Sequence, residues 1–134
     1  MKFNLCVSSG GEFVTRSNDY FEWALQREST GVVGLFIESI RDPEGFEAAL
    51  SEAARREIPV VVLKAGRTPA AAAMARTHTG ALAGDDAAYR ALFERYGVLR
   101  VDTLDELAAA LLLFSHPARP AAGGLASIHD SGGE

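Results

Sequence analysis

The sequence predicts an α/β protein: a doubly wound parallel sheet with helices on both faces, stacked in three α/β/α layers. Three observations point that way. Short, β-rich runs that are apolar at nearly every position recur along the chain, as strands buried on both faces require. Between them lie stretches whose apolar residues fall at helical spacing. The two kinds alternate in the order that right-handed crossovers wind into an open sheet. At 134 residues the chain is one domain long enough to bury a core of this kind, with room for a stub of another.

Taken in order, FNLCVS at 3–8 is the first expected strand, with Cys6 as a small buried hydrophobe inside it. The first helix is expected over 18–28, with Ser17 or Asn18 as its N-cap and Phe21, Ala24, Leu25 and Glu28 at helical spacing. VVGLFIES at 32–39 is the second strand. A helix over 42–57 follows, with Asp42 as cap, Pro43 at the first helical position and the stripe Phe46, Ala49, Leu50, Ala53. It closes with Arg55 and Arg56 at the negative end of its dipole. IPVVVLKA at 58–65 is the third strand. About 20 residues of weak periodicity come next, broken only by PAAAAMA at 69–75, a candidate short helix. The helix over 85–97 carries Tyr89, Leu92, Phe93 and Tyr96 on one face and stops at Gly97. GVLRV at 97–101 is a fourth, shorter strand, and Thr103 with Glu106 has capping-box spacing for the helix that follows.

Beyond that helix, residues 1–116 being read as the main domain, SHPARPAAGG has the two prolines and two glycines of a linker, placed at 117–124. Residues 125–134, GLASIHDSGGE in context, begin a strand that runs into a glycine turn and so read as the stub of a second subdomain.

Composition excludes several classes of function. A net charge of −5, with no Lys/Arg run longer than two, does not suit a nucleic-acid partner. The longest apolar run, LAAALLLF at 107–114, is far short of the roughly 20 residues a membrane span needs. The start MKFNLCVSSG has no secretory signal pattern, and a single cysteine suits a reducing compartment, so a cytoplasmic protein is expected. His116 and His129 have no partner at metal-ligand spacing, and no metal site is expected. Neither GxxxxGK[ST] nor GxGxxG occurs. Trp23 is read as a core or interface filler.

In a doubly wound sheet ligands bind at the carboxyl ends of the strands. Three loops arrive there: SSGGE at 8–12, ESIRD at 38–42 and the long stretch from AGRT to HTGALAG at 65–84. The last sets His78 among small and polar residues. Its flanking charges Lys64 and Arg67 could meet an anion, although a solvated loop charge is the ordinary expectation for both. Asp85 and Asp86 are expected to cap and open the next helix, facing away from any anion.

The run VVVLKAGRT, then HTGALAGDDAAYRALFERYGVLRVDTLDEL, resembles the NDP-forming acyl-CoA synthetases, relatives of succinyl-CoA synthetase. The resemblance covers roughly residues 5–115 and falls on their flavodoxin-like CoA-ligase domain, with HTGALAG its most specific phrase. It implies that His78 carries a phosphoryl group in the reaction acid + ATP + CoA ⇌ acyl-CoA + ADP + phosphate, run through an acyl phosphate. It also implies a CoA-binding domain and an ATP-grasp module as partners, in the same protein or complex. CoA, ATP/ADP and Mg would then be cofactors of the whole enzyme, and none is expected on this chain alone. A departure is Gly11, which stands where SGNEA is common; Glu12 still matches.

The chemistry agrees with that implication. A phosphohistidine needs one free imidazole nitrogen and a partner that fixes the other. Glu38, at the end of the second strand, is the expected partner, as the resemblance also implies. Donors for the phosphoryl group are expected from Thr79, Gly80, Ser9 and Gly10, and from the turn at Gly132 and Gly133. Two other classes stay open: a non-catalytic sensing or assembly module of a multidomain protein such as a fused acyltransferase, and a flavin-binding or receiver-type domain. Apolar faces that would meet the partner domains would drive homo-oligomerisation of the isolated chain, which is expected to be inactive.

Overall fold

A computed structural model of the chain describes residues 2–66 and 86–116. Its elements follow one another as α1 (Ser17–Leu25), β1 (Val33–Ile37), α2 (Pro43–Arg55), β2 (Val60–Lys64), α3 (Asp86–Arg95), β3 (Leu99–Val101) and α4 (Leu104–Phe114). The three strands form one parallel sheet in the order β1-β2-β3. Val33 pairs with Val60 and Ile37 with Lys64, so β1 and β2 end level with each other.

Because the order advances in one direction, right-handed crossovers put α2 and α3 on the same face of the sheet. That face is packed with Phe21, Leu25, Val33, Ile37, Phe46, Leu50, Val60, Val62, Tyr89 and Phe93. Among the described residues the other face is covered by α4, through Leu107, Ala110, Leu111 and Phe114 against Val61, Leu63 and Val101. Alternation along β2 makes the division: Val60 and Val62 go one way, Val61 and Leu63 the other. The three-layer α/β/α architecture of the sequence reading is therefore present.

Helix α2 forms as its local signals dictate. The Asp42 carboxylate accepts the N–H of Gly45 at 3.0 Å, Pro43 follows it, and Phe46, Ala49, Leu50 and Ala53 are all buried. Thr103 caps α4 by accepting the N–H of Glu106 at 3.1 Å, while the Glu106 carboxylate accepts the N–H of Asp102. Gly97 takes φ +63°, the left-handed conformation that ends α3.

Three expectations need correction. Residues 3–8 form no strand: a strand needs a ladder partner, and among the described residues they have none. Phe3 and Val7 are exposed, and Cys6, expected inside, is exposed too. Asn4 instead donates to Ser29 Oγ and Thr30 Oγ1, at 3.0 and 2.8 Å, just ahead of β1. Helix α1 is capped by neither Ser17 nor Asn18. Its entry residue is Arg16, whose N–H the Asp19 carboxylate accepts at 2.7 Å, and the helix ends at Leu25. Asn18 turns inward and donates to Asp42 at 3.4 Å. The suggested helix at 69–75, the linker and the terminal stub lie outside the described residues.

Candidate functional site

The carboxyl edge of the sheet is where the chain's chemistry-bearing groups gather. From the end of β1 the chain runs through Glu38, Ser39, Ile40 and Arg41 to Asp42, the cap of α2. Two bonds hold this loop. The Ile40 N–H donates to the phenolic oxygen of Tyr89 at 3.1 Å, and Arg16 pairs with Asp42 at 3.2 Å. The N–H of Gly45 and the guanidinium of Arg16 together hold the Asp42 carboxyl below its usual range, the backbone bond being the larger cause. A Cβ at 45 would stand 2.6 Å from Asn18 Nδ2 and 2.7 Å from Asp42 Oδ2, so a larger residue there would displace the side chains that meet at the cap. Glu38 therefore leaves a fixed platform as an exposed carboxylate directly after β1.

The segment before α1 reaches the same edge. Asn4 is tied to Ser29 and Thr30 ahead of β1, and Arg16 to Asp42 beyond it, so the chain between them climbs from the amino to the carboxyl side. Ser9 and Gly10 lie between these two ties in sequence. Ser9 Oγ donates to Glu12 Oε1 at 2.9 Å, which commits the hydroxyl proton to a carboxylate. Gly10 and Glu12 both take left-handed backbone, φ +61° and +53°. For glutamate that conformation is uncommon. Glu12 Oε2 is buried without a hydrogen-bond partner among the described residues.

Lys64 ends the central strand. The sequence reading treated it as a solvated loop charge, and the structure corrects this: it is 3% exposed. Its position in β2 shares the parity of Val60 and Val62, which turns it toward α3, where Nζ stands 4.7 Å from the centroid of the Tyr89 ring. The ammonium also donates to the carbonyl of Ala65. Burial lowers its pKa, and Arg100 lowers it further, while Asp86 and Glu38 act in the opposite sense.

Asp86 and Arg100 form a pairing that sequence reasoning missed. Both Arg100 Nη atoms bond the Asp86 carboxylate, one at 3.3 Å, which ties the first turn of α3 to β3. The signal was an arginine inside the otherwise apolar run GVLRV: a charge there needs a partner from a covering helix. Asp86 opens α3, as expected, yet its carboxylate faces the sheet and holds this arginine. Arg100 Nε is buried with no partner among the described residues.

Of the expected site residues, Glu38 directly follows β1 at the carboxyl edge, while Ser9 and Gly10 lie in the segment before α1. His78, Thr79, Gly80, Gly132 and Gly133 lie outside the described residues, as do Arg67, Asp85 and His129. Among the described residues no cluster of His, Cys, Asp and Glu could hold a metal ion, and no helix is long and apolar enough to cross a membrane.

Comparison with known proteins agrees with this architecture. Residues 1–114 match the family model described as the succinyl-CoA ligase like flavodoxin domain. A trans-feruloyl-CoA synthase from an unknown prokaryotic organism is 42% identical over 102 residues, 76% of this chain and 14% of that protein. The ADP-forming acetate–CoA ligase I of Archaeoglobus fulgidus is 38% identical over 132 residues, 98% of this chain and 19% of its own length. Among solved structures, a dinucleotide forming acetyl-coenzyme A synthetase 1 from Ca. Korarchaeum cryptofilum, in complex with phosphate and ADP, superposes with a TM-score of 0.68 at 30% identity. That match covers 75% of this chain and 22% of that one. The chain thus spans less than a quarter of the length of each of these relatives.

Proposed function

The chain belongs to the succinyl-CoA ligase like flavodoxin domain family, and on that premise we propose that it is the phosphohistidine-bearing piece of an ADP-forming acyl-CoA synthetase. One observation carries the reading: the phrase HTGALAG follows the central strand in sequence, while Glu38 leaves the neighbouring strand level with the end of that central strand.

In this reading a nitrogen of neutral His78 attacks the phosphorus of an acyl phosphate. The P–N bond forms as the P–O bond to the acyl group breaks, and the acid leaves as its carboxylate. The ring becomes a cation whose remaining N–H is held by Glu38, which stabilises the charge and fixes the ring. Passing the phosphoryl group to ADP reverses the charge change and regenerates the neutral ring. Thr79, Gly80, Ser9 and Gly10, with Gly132 and Gly133, are the proposed donors to the phosphoryl oxygens. For Ser9 this means exchanging its bond to Glu12 for one to phosphate.

CoA, nucleotide and Mg are supplied by other parts of the protein or complex. The described residues contain no metal cluster and the chain has no P-loop, so the CoA-binding and ATP-grasp modules are the proposed partners. The isolated chain then gives no turnover.

The test is to incubate the full-length protein with γ-labelled ATP and look for acid-labile phosphate. Labelling that disappears in His78→Asn and falls in Glu38→Gln is the expected result. Unchanged labelling and turnover in His78→Asn would falsify the proposal and favour a sensing or assembly role.

A further inference from the structure

Lys64 is out of place. The chain has only two lysines, Lys2 on the exposed N-terminal segment and Lys64 at the end of the central strand; every other basic residue is an arginine. A buried ammonium is costly unless a carboxylate stands against it. Among the described residues none lies within ion-pair distance of Lys64 Nζ. The partners it has are the Ala65 carbonyl and the face of Tyr89.

The neighbouring carboxylates are otherwise placed. Asp86 is held by both Nη atoms of Arg100 and lies 3.8 Å from Arg90. Glu38 is exposed beyond the end of β1. Among the described residues the charged and titratable groups facing Lys64 are thus Asp86 and Tyr89 from α3, Arg100 from β3 and Glu38 after β1. One of an ammonium's three donors is spent on Ala65, and the ring satisfies charge without accepting a conventional hydrogen bond. Among the described residues two of its donors have no partner, at the carboxyl end of the central strand, the place where a parallel sheet receives its ligand. A compact ammonium is a point charge, and it suits a multiply charged anion.

We propose that Lys64 is the buried cation that compensates the charge of a phosphoryl group handled at this edge. The inference rests on the phosphohistidine reading for the identity of the anion. Lys64 acts through its field and its hydrogen-bond donors, in a region where the low dielectric strengthens both. Tyr89 holds it in place: the same ring takes the ammonium on its face and the Ile40 N–H on its oxygen, so Lys64 and the Glu38 loop are located by one side chain.

The experiment uses the 134-residue chain with inorganic phosphate as the probe, at constant ionic strength set by chloride. With lysine labelled at 13Cε, the spectrum holds two lysine signals, assigned by Lys2→Arg. In the absence of phosphate the Lys64 midpoint is expected below the ordinary lysine value. Saturating phosphate is expected to move the Lys64 midpoint upward and leave Lys2 in place. Lys64→Met is expected to weaken phosphate binding about tenfold or more, while Lys64→Arg retains part of it. A Lys64 signal indifferent to phosphate, a wild-type chain that binds no phosphate, or a methionine variant that binds like wild type overturns the inference. Should the methionine variant not fold, the wild-type titration decides alone. The two readings fail separately. Labelling that survives His78→Asn removes the phosphohistidine and leaves the Lys64 response standing. His78-dependent labelling with an indifferent Lys64 removes only this inference.

Discussion

The two faces of the sheet are built from the same strands and finished very differently. On the α1–α3 face, Phe46, Ala49, Leu50 and Val62 are essentially without exposure, and the rings of Phe21 and Phe46 meet at 5.9 Å. On the α4 face, Phe36 is 60% exposed in mid-strand and Leu113 is 71% exposed in a helix made almost entirely of apolar residues. Alternation along β1 sends Val33 and Ile37 into the first layer and Gly34 and Phe36 into the second. The difference teaches where stability resides and where a further surface is wanted. The closed face holds the fold, and it also holds the underside of the candidate site through Tyr89. The half-covered face carries leucines and a phenylalanine that a lone domain would not choose to leave in water.

The largest effect should follow from breaking the closed face. Phe46→Ala removes a fully buried ring from beneath α1 and β1 and is expected to cost about 3–5 kcal/mol, the range for such truncations. Denaturant unfolding followed by circular dichroism measures it. A loss below ~1 kcal/mol would mean that the two faces do not differ in the way described.

How much of this was legible beforehand depended on how far each cause lay along the chain. Helix α2 was readable in full because its cap, its first proline and its stripe are all local. The ends of α3 and α4 were readable for the same reason, Gly97 and the Thr103–Glu106 pair being signals within a turn. Residues 3–8 misled because an apolar, β-rich run states a propensity, whereas a strand is a ladder with something else, and no ladder partner is written in the run itself. Lys64 misled in the opposite direction. A charge at a strand end can go in or out, and the ring that takes it in is contributed by Tyr89, 25 residues later. The Arg100–Asp86 pair was non-local in the same way. Of the candidate site, Glu38 could be placed from the sequence by strand order alone, while the bonds that fix its loop could not.

An intermediate effect should come from the junction that joins the closed face to the site. Asp42 caps α2 and holds Arg16 and Asn18, and its pKa is depressed chiefly by the Gly45 N–H and then by Arg16. A depressed carboxyl contributes stability that is complete above its unfolded value, near pH 4, and is lost as pH falls through its folded value. Thermal unfolding followed from pH 6 downward should show Tm falling in that acid window. Asp42→Asn retains a capping oxygen without the charge, so it should lower Tm at pH 6 and flatten the fall. A variant as acid-sensitive as the wild type would assign that window to other carboxylates. Lys64→Met provides a contrast on the same face. Replacing a buried charge by an apolar chain of similar length is expected to leave Tm unchanged or raised, so its phosphate defect could not be ascribed to unfolding.

The smallest effect on stability belongs to the open face, and there the readout changes. Leu112 and Leu113 lie on the outer side of α4, away from Ala110 and Leu111, which meet the sheet. Leu112→Gln with Leu113→Gln removes apolar area that is already in water and keeps good helix formers, so stability should move by less than about 0.5 kcal/mol. Association should respond instead. Light scattering across a concentration series is expected to show the wild-type chain growing in mass and the double variant staying closer to a monomer. Equal behaviour of the two would show that leucines exposed to this degree on a short helix do not by themselves make a sticky surface. The unequal packing of the two faces would then be a matter of stability alone, with no bearing on what the domain meets.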